Sequence, residues 1–506
     1  MKKLIVALPV LVVLLLLLPF AAGILAKQEL SNRYAHLNQI LARSFHLELE
    51  DYHRGWFCST AKVKVHLESA KISSALDKHF SALLSTEYQS ISAEKFPLVV
   101  DLAIFHGPII IRVHNSGTPG IQWGLAAIES SLDLPWNERG KEWVRTVAGR
   151  KKLVTSASLI HYSGDFTNVI SVPAIQYIDT ENNWQLNWAG VKMASTMSRD
   201  SKNINFNLII APAHLSDLKG VALFDSSDVN FVGDTKQSVH GFWFGDINIS
   251  MNNFVLSENA KPIVSVAGVK ALQQSSVEND KINTSLKYQV DKIDVRGQSY
   301  GPSSLALQIN KLGGKEFKSI ADAVNGVDFD SMPEEQLAFF GIQIVPELVH
   351  MINGSSLDLA FTTKAPAGDV NLTMNLKAAE QDSGIVDPVA LAMSAQGQCV
   401  FSVPKSLLKS LLANEAEIAI NAEIVNTAKE RGEFPDFSQT EQLAGNVAEE
   451  HLAALQQEGW ISASGDSYQG KYEYKNGTIL SNGKLMVDVL QKFKIVQPTL
   501  DSLLTH

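Results

Sequence analysis

An unbroken apolar run from Leu4 to Ala26, interrupted only by Pro9 and Pro19 and free of charge, constrains this chain more than any other feature. About 20 apolar helical residues span a bilayer core, so the run is long enough to cross one. Met1, Lys2 and Lys3 form a short basic stub ahead of it. A cleaved export signal is usually shorter, with roughly 7–15 apolar residues ending at a small-x-small site. Ala21-Ala22-Gly23 is a weak exit of that kind, and Gly23-Ile24-Leu25-Ala26 continues apolar beyond it. The run therefore reads as a retained signal anchor, with cleavage as the alternative. The lysines precede the segment, and only Lys27 follows closely before Glu29. The positive-inside rule then leaves residues 1–3 in the cytoplasm and sends residues 27–506 across the membrane. No later run approaches spanning length, which makes this a single-pass chain.

The formal net charge is −10, with charged residues at 19%. Phosphate backbones demand clustered Lys and Arg, so nucleic acid is excluded as a partner class. The densest basic group, Arg145 to Lys152, reads as a solvated loop. The two cysteines, Cys58 and Cys399, leave two readings open. They pair in an oxidising compartment, or they are two separate thiols behaving as small apolar residues.

Past the anchor, residues 28–45 read as a helix, with Leu30, Tyr34, Leu37, Ile40 and Leu41 at helical spacing. Strands then dominate. Ala61, Val63, Val65 and Leu67 alternate with Lys62, Lys64 and His66. The same period of two recurs at 247–251 and 305–309, and most cleanly at Val370 to Lys377. Such alternation places one face in a core and one in water, as in antiparallel sheets. Helical spacing returns at Glu334 to Ile352, Pro404 to Leu412 and Thr440 to Gln457. Lys471 to Lys475, the pair Asn476-Gly477 and Thr478 to Leu480 read as a closing hairpin. The expected class is α+β: a long antiparallel meandering sheet with helices grouped mainly in the C-terminal half, plus the transmembrane helix. A mainly β stretch over residues 27–310 precedes a mixed one over 311–506.

No catalytic constellation stands out. Gly297-Gln298-Ser299-Tyr300-Gly301 has the spacing of a hydrolase nucleophile elbow. That elbow needs a helix straight after the serine; here Pro302-Ser303-Ser304 and another alternating strand follow, so a β-turn is the better reading. His46 and His53 lie near Glu48, Glu50 and Asp51, where a polar strand end explains them as well as a metal does. Neither cysteine has a metal-ligand spacing, no phosphate-cradling glycine loop occurs, and no cofactor is expected. The tryptophans of the body read as core area, since Trp buries more surface than most side chains.

Two strings are distinctive: Tyr52-His53-Arg54-Gly55-Trp56-Phe57-Cys58-Ser59 and Ile104-Phe105-His106-Gly107-Pro108. With Phe242-Trp243-Phe244-Gly245-Asp246, Gly301 to Leu307 and the closing run through Asn482-Gly483-Lys484, they resemble the YdgA-like family of bacterial envelope proteins. The resemblance covers nearly the whole chain. It implies inner-membrane attachment with a periplasmic body, and it carries no established catalytic residues. Arg54, Gly55, Trp56, Phe57, His106, Gly107, Pro108, Trp243, Gly245, Asn482 and Gly483 are thus motif residues of unknown role. Gly55 and Gly107 suit backbone turns, and Pro108 suits a strand start. Arg54 suits an ion pair or a lipid headgroup.

Two functional readings follow. One is a non-enzymatic scaffold or interaction module in envelope maintenance, partnered by a second copy or another envelope protein. The other is lipid handling, in which one-faced strands offer acyl chains an apolar groove. A serine hydrolase built on Ser299 is a remote third.

Overall fold

The structure is a computed structural model. It describes residue 19 and residues 21–35, 37–38, 45–67, 97–107, 109–113, 119–133, 137–149, 153–180, 182–325, 327, 333–381, 386–431, 434 and 437–488. Most of the run Leu4–Ala26 lies outside the described residues, as do Pro108 and Arg150 to Lys152. Among the described residues, no helix is long and apolar enough to cross a membrane.

The chain divides into two compact units. The first comprises Met1–Lys236 and Ile249–Pro262, the second Gln237–Asn248 and Ile263–His506. Both are built on antiparallel strands, so the fold is β-rich with helices added.

In the first unit the strands Phe45–Arg54, Cys58–Leu67, Pro97–His106, Ala126–Asp133, Val154–Ile160 and Phe166–Val172 pair in succession. The ladder continues through Val191–Met197, Asn203–Ile210 and Val229–Gln237. One cross-strand row runs the full width: Ala61, Leu102, Ser130, Ser156, Ile170, Met193, Leu208, Phe231. Its near end is core. There Ala61, Val63, Leu102, Ile104, Ala126, Ile128 and Ile160 close over Ala26 and Leu30 of the N-terminal helix. Its far end, from Ile170 to Phe231, is only half-buried.

Four long strands of this unit break at one crease. Phe166–Val172 resumes as Ile175–Asp179, and Trp184–Trp188 as Val191–Met197. Asn203–Ile210 resumes as Ala213–Asp217, and Ala222–Ser226 as Val229–Gln237. Pro173 and Pro212 stand in the break, where no ladder donor is needed. Gly190 has φ +95°, and a Cβ there would lie 2.3 Å from the Val172 carbonyl oxygen. Across the crease the backbone stays paired, with Ala189 N donating to Pro212 O (3.0 Å) and Ala211 N to Gly190 O (2.9 Å).

In the second unit Lys261–Glu278 pairs with Lys281–Val290, followed by Ser303–Gly313, Ser356–Ala365, Gly368–Lys377, Gln396–Pro404 and Ser467–Lys475. Leu307, Leu359, Met374, Cys399 and Tyr472 share a half-buried row, while Gln308, Asp358, Asn375, Gln398 and Glu473 share one on the opposite face. This is the alternation expected from the sequence. Helices Gly314–Asn325 and Glu334–Ile352 pack on Ser303–Gly313. Lys405–Arg431 and Thr440–Gln457 pack on each other.

The differences from expectation are local. The helix beginning near Pro404 runs on to Arg431, well past Leu412. A helix at Glu138–Ala148 stands among the strands, capped by Asn137, whose side chain accepts from Gly140 N. The strand ahead of Gly297 breaks at Asp291, between Lys281–Val290 and Lys292–Val295, and the Asp291 side chain fills the space that a Cβ on Gly268 would take.

Candidate functional site

The two distinctive strings meet at one end of the first sheet. The turn between the first two strands is Gly55-Trp56-Phe57. A Cβ on Gly55 would stand 2.2 Å from the Cys58 carbonyl oxygen, so only glycine lets the chain turn this tightly. The Phe57 carbonyl accepts from His106 N at 2.9 Å. Gly107, with φ +141°, donates to Leu125 O at 3.4 Å, and Leu125 N donates to Ile160 O at 2.8 Å. Backbone hydrogen bonds thus stitch four neighbouring strand ends side by side.

His106 is the centre of this rim. Its Nδ1 lies 2.9 Å from the carbonyl oxygen of Pro19, and its Nε2 lies 2.9 Å from Ser59 Oγ. A carbonyl oxygen can only accept, so Nδ1 carries the proton. Nε2 is then a bare acceptor, and the Ser59 hydroxyl donates to it. Burial lowers the pKa of His106 below 6.5; the hydrogen bond to Pro19 opposes that shift and the nearby Arg54 cation adds to it. The ring is a neutral clamp. Gly23 lies against it, and a Cβ at that position would be 2.8 Å from the ring carbon Cε1. Tyr52 OH donates to Gly23 O at 3.2 Å, and Lys27 Nζ sits 5.1 Å from the centre of the Tyr52 ring.

Further along the helix, Arg33 closes the seat. It is buried, pairs with Glu29 at 2.9 Å and donates to the Gly164 carbonyl at 2.5 Å. Its guanidinium lies 5.1 Å from the centre of the Phe166 ring. Ala22, Ala26, Leu30 and Arg33 form the buried helical face. The signal that could have found this face is the four-residue spacing of Ala22, Ala26 and Leu30, which the exit-site reading of Ala21-Ala22-Gly23 passed over.

A serine donating to a histidine has the outline of a nucleophile and its base. Here Ser59 is 1% exposed and His106 2%, and the third group is a neutral carbonyl in place of a carboxylate. No substrate can reach the hydroxyl, so the pair holds the helix.

The other motif residues lie elsewhere. Trp243 and Gly245 open the strand Trp243–Glu258. Gly245 N donates to Ser275 Oγ at 2.8 Å, and Ser275 Oγ donates back to Gly245 O at 3.1 Å. Asn482 and Gly483, both at positive φ, form a hairpin turn whose Asn482 N donates to Lys471 O at 2.7 Å. Ser299 sits in the short strand Gln298–Tyr300, opposite Asp294, whose pKa is lowered first by its hydrogen bond to Lys292 and then by the one to Ser299. A strand, not a helix, follows it, which removes the elbow geometry. His46 faces His66 across the first hairpin, and no group of three metal-ligating side chains occurs among the described residues. Both cysteines are free thiols, Cys58 exposed and Cys399 half-buried, with pKa values raised by burial.

No curated protein and no solved structure matches the chain. Residues 1–487 match the model of a family described as "Bacterial protein of unknown function (DUF945)". Nearly the whole chain lies in that match, motif strings and helix seat included, and it therefore belongs to the bacterial DUF945 family.

Proposed function

We propose that this protein is a single-pass, membrane-anchored envelope scaffold whose body lies in the periplasm and performs no catalysis. One observation carries the reading: the paired motif strings converge on a closed clamp around the helix that continues the apolar run Leu4–Ala26. A clamp of this kind serves positioning. The resemblance to YdgA-like envelope proteins supports the same placement. Protease treatment of spheroplasts, with carbonate washing of the membranes, tests it. The body is expected to be digested from outside the inner membrane and the anchor to stay in the pellet. A body protected in spheroplasts, or full release by carbonate, would sink the reading.

A specific observation favours lipid handling as a second reading. The row Ile170, Met193, Leu208 and Phe231 carries no charge and continues outward from the face on which the helix is seated. Methionine suits chains of varied shape, because its thioether side chain is flexible and polarisable. Mass spectrometry of solvent extracts from the purified full chain tests this reading. A stoichiometric lipid lost in a Leu208→Glu variant is expected, and lipid content unaffected by that charge argues against it.

A further inference from the structure

We infer that the strand-end rim around His106 is itself a membrane contact, dipping into the outer interface of the bilayer that holds the anchor. The inference rests on the anchor reading and adds a second attachment to it.

Large apolar side chains crowd this end of the sheet and face outward. Trp56 and Phe57 lie on the first turn, Ile109 follows His106, Trp123 precedes the strand Ala126–Asp133, and Tyr162 follows Val154–Ile160. Their exposures run from 46% at Ile109 to 66% at Trp123. Single exposed apolar residues are ordinary, but a contiguous group marks an interaction surface. These are contiguous, because the bonds Phe57–His106, Gly107–Leu125 and Leu125–Ile160 hold their loops side by side.

The helix gives the depth of the rim. His106 and Tyr52 grip it at Pro19 and Gly23, and its outward face at that level is still apolar, with Ile24 and Leu25 exposed. The first charge after the apolar run is Lys27. At 1.5 Å per helical residue, Pro19 lies roughly 12 Å and Gly23 roughly 6 Å further toward the apolar run than Lys27. If Lys27 marks the headgroup level, the strand ends gripping Pro19 and Gly23 stand below it. Side chains near the Gly23 level meet the interface, where Trp and Tyr are enriched because their rings are apolar and their tips polar, and those nearer Pro19 meet the acyl chains. Arg54, at the same rim, adds a cation suited to anionic headgroups. A protein partner would have to share this level with the bilayer, which is why lipid is the occupant.

The test uses the full chain in vesicles of phosphatidylethanolamine and phosphatidylglycerol with brominated acyl chains, which quench nearby tryptophan fluorescence. The chain has 8 Trp residues. Replacing Trp56 and Trp123 together by Phe is expected to abolish most of the quenching, while Trp184→Phe with Trp188→Phe leaves it in place. No quenching in the unaltered chain, or quenching unchanged by the rim pair, overturns the inference. Carbonate washing of the same vesicles separates the two ideas. Release of the chain with rim quenching retained sinks the anchor and keeps the rim; a pelleted chain without rim quenching does the reverse.

Discussion

His106 Nδ1 meets the carbonyl oxygen of Pro19 at 2.9 Å, across 87 positions of chain. That one bond ties Pro19, inside the apolar run, to the third strand of the body, and Ser59 completes it from the second strand. The clamp accounts for why a histidine, two glycines and a serine are needed at these places, and it yields the first two predictions.

Gly23→Ala is expected to destabilise the full chain by about 1–3 kcal/mol, the cost of forcing an extra methyl into a filled site. The His106 ring cannot swing aside without losing a hydrogen bond. Ile24→Ala, on the exposed face of the same helix, is the control and should cost less than half as much. Thermal unfolding of the detergent-solubilised chain measures both. Equal shifts would mean that Gly23 is not pressed against the ring.

The clamp depends on pH with a definite sign. His106 is neutral when folded because burial lowers its pKa, whereas in the unfolded chain it takes up a proton near pH 6.5. Its full contribution is therefore present above about pH 6.5 and is lost as pH falls through that value toward the folded pKa. Stability measured between pH 7.5 and 5 should fall less steeply in His106→Gln than in the unaltered chain. Identical slopes would show that His106 titrates alike in both states.

Gly190→Ala is expected to cost at least about 1–3 kcal/mol, through positive-φ strain and overpacking. The obstacle is the Val172 carbonyl, which is backbone and cannot rotate away. Urea denaturation reads the loss as a lower midpoint. A midpoint within error of the parent would mean that the crease is not held at Gly190.

A fluorophosphonate serine probe is expected to label neither Ser59 nor Ser299. Ser59 is buried beneath the helix, and Ser299 lies in a hairpin facing Asp294. Mass-spectrometric detection of an adduct on either residue would reopen the hydrolase reading.

Both thiols should remain free in the purified protein, so reduction leaves its mobility on a denaturing gel unchanged. Maleimide is expected to modify exposed Cys58 faster than half-buried Cys399, and both more slowly than a model thiol, since burial raises both pKa values. Reversed order would contradict the burial of the two sites.

Much of the local structure was legible because it is periodic. Val370 to Lys377 alternates strictly, and it is a strand with Val370, Leu372 and Met374 on the half-buried side. Glu334–Ile352 and Thr440–Gln457 are helices over the spans their spacing implies. The extension of Lys405–Arg431 was harder to see. Beyond Leu412 its residues are good helix formers such as Ala and Glu, but they lack a continuous apolar stripe. Glu138–Ala148 carried its signals in the caps, Asn137 at the start and Gly149 in the left-handed region after the end. Those are single residues, easily lost among strands.

By itself the sequence determined the apolar run, the one-faced strands, the turn at Asn476-Gly477, and the membership of two motif strings in one pattern. Each depends on neighbours along the chain, and the period of a helix or strand writes them out locally. What the tertiary structure decided is that the strings belong to the helix. Ser59, His106 and Gly23 come together only when strands from distant stretches pair and a helix lies across them. A contact of that range leaves no periodic trace, so the clamp and its rim are visible only in the folded chain.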